Sequence, residues 1–146
     1  MLINSLPIKY SMVNEATKIE LANSTGCPRQ YTCADAIGIA KGTLLVLAGD
    51  RTASSCIVLV GSTPLGIASM DKVASDLSTT ITAFTNGIFN FTSSGTIVRG
   101  QKVKTTNVAN IIQAAEEADG TASYARIIGV AFSTASANKC QVRMDL

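Results

Sequence analysis

From residue 43 onward, short runs of apolar, β-branched and aromatic residues recur, separated by Gly, Ser, Asn and Asp. They are TLLVL (43–47), CIVLV (56–60), TTITAF (79–84), IFNF (88–91), TIV (96–98), KVKT (102–105), ARIIGVAF (125–132) and CQVRMDL (140–146). Several alternate with a period of two. In TTITAF, Thr79, Ile81 and Ala83 share one face. In CQVRMDL, Cys140, Val142, Met144 and Leu146 face one way, and Gln141, Arg143 and Asp145 the other. Alternation of this kind belongs to strands with one buried face. Short strands at about ten-residue spacing with turn signals between them predict an all-β sandwich or barrel. One segment is ambiguous. NVANIIQAAEEAD (107–119) places Val108, Ile111, Ile112 and Ala115 at helical spacing behind Asn107 as a candidate N-cap, yet VANIIQA could also pair as a strand.

A repeat underlies the pattern. Ile39, Gly42 and Leu45 in IAKGTLL match Ile97, Gly100 and Val103 in IVRGQKV, at an offset of 58. Further on, LGIA (65–68) matches IGVA (128–131), at an offset of 63. Two blocks in the same order predict two similar β-units within one compact domain. Gly42 and Gly100 each follow a charged residue and precede a strand, so both are expected in a tight turn or at positive φ. Gly66 and Gly129 are taken as turn glycines of the same pattern. A phosphate loop does not fit: in GIAKGT the lysine precedes its glycine, and no G-x-G-x-x-G occurs.

Composition narrows the function. The chain has 146 residues, enough for one domain with its own core. Charged residues make up 15% and hydrophobic residues 47%. Apolar surface in excess of what a core can hide is usually covered by assembly. No apolar run approaches the roughly 18 residues of a membrane span, and the first ten residues do not read as a secretory signal. Net charge is +2 and aromatics are 5%, without a basic cluster, so no nucleic-acid partner is expected. There is no histidine, which excludes Ser-His-Asp and Cys-His catalysis and His-ligated metal sites. Glu116 and Glu117 are adjacent and diverge on either a helix or a strand. The Asp50–Arg51 pair reads as a polar turn, and Ser54 and Ser55 lack a nucleophile-elbow context. No enzyme and no cofactor is expected. The four cysteines, Cys27, Cys33, Cys56 and Cys140, have no zinc spacing. Cys27 and Cys33 are either buried thiols or a disulfide closing CPRQYTC.

In order along the chain, YTCADAIGIAKGTLLVL, PLGIASMD, ITAFTNGIFNFTSSGTIVRGQKVK and RIIGVAFSTASANKCQVRM resemble the small capsid decoration, or cement, proteins of tailed bacteriophages. The resemblance implies a compact β-barrel or β-sandwich domain over residues 31–146 and an extended N-terminal arm over 1–30. It implies binding to the outer surface of the capsid shell, with the major capsid protein and further copies of the chain, as a homotrimer, for partners. The protein is then expected on the virion after synthesis in the host cytoplasm. Leu2, Ile3, Leu6, Ile8 and Tyr10 are the expected capsid-binding anchors of the arm, adding as a strand to an exposed sheet edge; otherwise the segment is the domain's first strand. The competing reading is another virion surface β-module, such as a spike, fibre base or host-adhesion domain.

Overall fold

The computed structural model describes residues 14–49, 52–55, 63–106, 108–116 and 126–146. Eleven strands appear among them: β1 (Thr17–Leu21), β2 (Arg29–Thr32), β3 (Leu44–Gly49), β4 (Thr52–Ser55), β5 (Pro64–Ala68), β6 (Thr80–Phe84), β7 (Asn86–Ser93), β8 (Lys102–Thr105), β9 (Ile111–Ala114), β10 (Ile127–Ala131) and β11 (Lys139–Asp145). The single helical turn among the described residues is the 3₁₀ segment Ala22–Ser24. The fold is all-β.

Strands β2 to β6 close into a barrel in the order β2-β4-β3-β5-β6. Strands β7 to β11 repeat that circuit, each five places later. Their sheet runs β7-β11-β10-β8-β9, and a β7–β9 pairing closes it. Even strand directions agree: β2–β4 and β7–β9 are parallel, and the remaining pairs in both rings are antiparallel. The register agrees as well. Leu45 lies opposite Gly66 in the first ring, and Val103 opposite Gly129 in the second. Closure removes the sheet edges that short strands would otherwise leave unpaired.

The repeated sequence blocks form the same turn twice. The Gly42 amide donates to the Ala68 carbonyl at 2.9 Å, and the Gly100 amide to the Ala131 carbonyl at 2.8 Å. In return, Ala68 donates to Thr43 at 2.9 Å and Ala131 to Gln101 at 2.8 Å. Gly42 has φ +88° and Gly100 φ +91°, a region that side chains rarely adopt. Gly66 and Gly129 differ from expectation. They lie inside β5 and β10, not in turns. A Cβ at either would meet a backbone carbonyl of the adjacent strand, that of Phe84 or of Arg143. Their role is close approach of two strands.

Two cores result. The first barrel encloses Cys33, Ile39, Leu45, Ala53, Ala68, Ile81 and Ala83. The second encloses bulkier residues, with Phe89, Phe91, Ile97, Val103, Ile112 and Val142 among them. Leu44 and Ile67 point out of the first barrel and are buried in the second cluster. The Leu44 amide also donates to the Asn110 side-chain oxygen at 2.9 Å, across the junction. The two barrels therefore share one apolar contact.

Within segment 107–119, the described residues 108–116 hold a strand and no helix. Ile111–Ala114 is β9, paired to both β7 and β8, and Asn110 before it turns the chain at φ +61°. Pairing on both edges outweighs local helical spacing. Asn107 lies outside the described residues. Thr96–Val98 is not a strand: between Gly95 and Gly100, both at positive φ, only Ile97 turns inward. The CIVLV run and the Asp50–Arg51 turn lie outside the described residues.

Candidate functional site

The outward faces carry the candidate site, because the barrel interiors are filled by side chains. Four features of those faces can be built from their residues. The anchors expected at Leu2, Ile3, Leu6, Ile8 and Tyr10 lie outside the described residues.

The first feature is β1. It pairs antiparallel with the N-terminal half of β7, Thr17 opposite Asn90 and Leu21 opposite Gly87. The C-terminal half of β7 pairs with β9 along the same edge. Residues 17–21 are exposed except for Leu21, which packs against the second core. The register slips between Lys18 and Glu20. Ahead of β1, the Ala16 amide donates to the Gly42 carbonyl at 2.8 Å. A Cβ on Gly42 would meet the Ala16 carbonyl oxygen at 2.5 Å. The chain thus crosses the Gly42 turn before entering the second sheet.

The second feature is the loop end of the first barrel, residues 34–43 and 69–79. Lys72 is buried there, 4% exposed. Its ammonium donates to the carbonyls of Asp35 (3.0 Å), Ile37 (3.0 Å) and Val73 (3.3 Å), and lies 3.6 Å from Asp76 Oδ1. A buried ammonium is costly unless hydrogen-bonded and paired, and here it has both. The result is a knot tying two loops together, reinforced by the Ile39–Lys72 bridge and by the Lys41 amide donating to Asp71 Oδ1 at 2.7 Å. Ile37, Met70, Val73 and Leu77 project from it into solvent. Nothing in a lone lysine between Asp71 and Val73 signalled this role in the sequence.

The third is the corresponding end of the second barrel, residues 94–101 and 132–138. The Ala135 amide donates to the Ile97 carbonyl at 2.9 Å, and the Arg99 amide to the Thr134 hydroxyl at 3.3 Å. Val98 and Phe132 are exposed.

The fourth is an open cleft of about 460 Å³ lined by residues of β1, β7 and β11, including Glu20, Arg143 and Asp145. Asn86 Nδ2 donates to Asp145 Oδ1 at 2.8 Å at its edge. The cleft joins no nucleophile to a base. Among the described residues no group of three or more His, Cys, Asp or Glu is placed to hold a metal ion. The described cysteines, Cys27, Cys33 and Cys140, are free thiols. Burial pushes Cys33 and Cys140 above the ordinary thiol range, which keeps them protonated and unreactive.

Comparison with known proteins gives one assignment. A family model described as phage cement protein matches residues 24–146. The match begins after β1 and spans both barrels. No curated protein matches the chain by sequence.

Proposed function

The chain belongs to the phage cement protein family, and from that premise we propose that it binds the outer surface of a tailed-phage head and bridges neighbouring major capsid subunits. The family match over both barrels carries this reading, since it assigns the folded body to a capsid-associated structural role. The fold suits such a role. Two closed barrels with a shared apolar junction make a rigid body with blunted edges. Such a body needs surfaces, not an active site, and no catalytic activity is proposed for it.

The shell-binding arm is placed in residues 1–30, with Leu2, Ile3, Leu6, Ile8 and Tyr10 as anchors. Within that stretch Ala16 is held at the Gly42 turn and β1 is paired with β7, so the reaching is assigned to the part ahead of Asn14. A strand added to a capsid sheet edge would draw affinity from main-chain hydrogen bonds and specificity from alternate side chains. Association as a homotrimer multiplies the weak contacts of each copy. Preferential binding to the mature head stabilises it by mass action. The protein would be made in the host cytoplasm and reside on the virion exterior.

Co-sedimentation with heads that lack the protein tests this. The full chain is expected to bind saturably and raise the temperature at which heads rupture. Removal of residues 1–12 is expected to leave the fold intact, by circular dichroism, and to weaken binding at least tenfold. Full-strength binding by the truncated chain would remove the arm from the account. Absence of binding by the full chain would remove the cement role.

A further inference from the structure

We propose that a cleft on the outer face of the second barrel, built around the buried Lys104, binds one tetrahedral oxyanion, a phosphate or sulfate group. The site goes beyond the cement role and shares no residue with the proposed arm.

The cleft has a volume of about 280 Å³ and is walled by three chain segments. Ser94, Gly95 and Thr96 come from the β7–β8 connection, Lys104 from β8, and Gln113 and Glu116 from β9 and the residues after it. The register explains how they meet. Lys104 pairs with Gln113 of β9 on one side and with Ile127 of β10 on the other. Its neighbour Val103 is buried in the core, so Lys104 takes the outer face of β8. Even there it is only 8% exposed. The Ser94 amide donates to the Ile112 carbonyl at 2.8 Å, which clamps the connection onto β9 beside Gln113.

The first barrel shows what packing alone requires at this place. By the same strand register Val46 corresponds to Lys104, and Ser54 to Gln113. The offset of 58 sets Ala36, Ile37 and Gly38 against Ser94, Gly95 and Thr96. Val46 is 2% exposed. An apolar side chain therefore fills the position in the same fold, whereas burying an ammonium carries a desolvation cost that packing does not offset. The second barrel instead holds a cation, a carboxamide, two hydroxyls and a glycine around one cleft. A charge kept at such a cost, among neutral donors, points to an anionic ligand.

The donors define its class. Gly95 sits at φ +72°, and nothing lies within 4 Å of where its Cβ would stand, so the turn is open on that side. Among the described residues the Gly95 and Thr96 amides donate to no backbone carbonyl, and successive amides in such a turn form a concavity for anions. Donors from three segments suit tetrahedral oxygens. A planar carboxylate is matched best by a guanidinium fork, which the cleft lacks, whereas lysine binds phosphate as a point charge. Among the described residues, the charged groups lining the cleft are Lys104 and Glu116. Glu116 is exposed, so solvent screens its repulsion of an entering anion. Glu117 and Asp119 lie outside the described residues.

The test is a titration of the full chain, followed through its backbone amide shifts by nuclear magnetic resonance, with sodium phosphate replacing sodium chloride at constant ionic strength. Saturable shifts are expected at Gly95, Thr96 and Gln113. Lys104→Met is expected to abolish them and to fold normally, since the first barrel holds Val46 at the same place. Glu116→Gln removes an exposed like charge and is expected to lower the half-saturating phosphate concentration about threefold. It decides the matter even if Lys104→Met fails to fold. Sulfate is expected to saturate the same amides, and acetate to leave them unmoved. Glycerol phosphate distinguishes the sources: saturation by it assigns the site to a phosphate ester as well, and saturation by inorganic phosphate alone assigns it to the free ion. Shifts that do not saturate, unchanged phosphate binding by Lys104→Met, unchanged or weaker binding by Glu116→Gln, or acetate binding as tight as that of phosphate would each overturn the proposal.

Discussion

A methyl group added at Gly129 would have to occupy the space of the Arg143 carbonyl, with the Met144 Cα 3.1 Å away. Both are backbone of β11, so the two strands must part. Gly129→Ala is therefore expected to cost about 1–3 kcal/mol, the range for overpacking, read as a lower urea midpoint. Gly100→Ala meets nothing within 4 Å and suffers only from φ +91°; its expected cost is about 1–2 kcal/mol. A larger loss for Gly100→Ala than for Gly129→Ala would show that the reading of Gly129 as a close-approach position is wrong. The sequence marked all four glycines, since Gly42 and Gly66 recur as Gly100 and Gly129. It could not separate their reasons. A turn glycine and a crossing glycine look alike until a neighbouring strand is placed beside them. Lys72 shows the opposite failure. Its three carbonyl partners come from residues 35, 37 and 73, and two of them lie far away along the chain.

Among elements, strong alternation was legible and weak alternation was not. TTITAF and CQVRMDL became β6 and β11 with the expected residues buried: Ile81 and Ala83 in one, Cys140, Val142 and Met144 in the other. β1 and β2 are polar and mostly exposed or half-exposed, so no buried stripe announced them. Duplication helps to explain what each copy kept. Tyr31 in β2 and Phe91 in β7 hold the same place, opposite Ile81 and Cys140. By that register Pro28 corresponds to Ile88, which pairs with Glu20 of β1. Proline has no amide hydrogen to donate, so the first barrel's edge is blunted where the second barrel accepts a strand. Leu44 shows a second divergence. Its counterpart Lys102 is exposed, while Leu44 is buried between the barrels. Leu44→Ala is expected to cost about 2–5 kcal/mol and to lower both barrels together in one unfolding transition. Two separated transitions in denaturant would show that the junction does not couple them.

At the scale of the whole molecule, the fold is two copies of one five-stranded circuit, and the family match spans both. The internal repeat made that architecture partly legible, because matched motifs in matched order require matched units. The candidate surfaces were less so. Exposed apolar residues such as Leu77 and Phe132 look like core residues in a sequence, and their meaning comes from the loops that hold them out. The central claim concerns where the molecule acts, and copy number tests it most directly. Quantitative mass spectrometry of purified phage particles would give the ratio of this chain to the most abundant shell protein. The account predicts a ratio near one to one, as expected for a cement distributed over the whole head. A ratio of a few per hundred, fitting a vertex spike or fibre component, or absence from the particles, would contradict it.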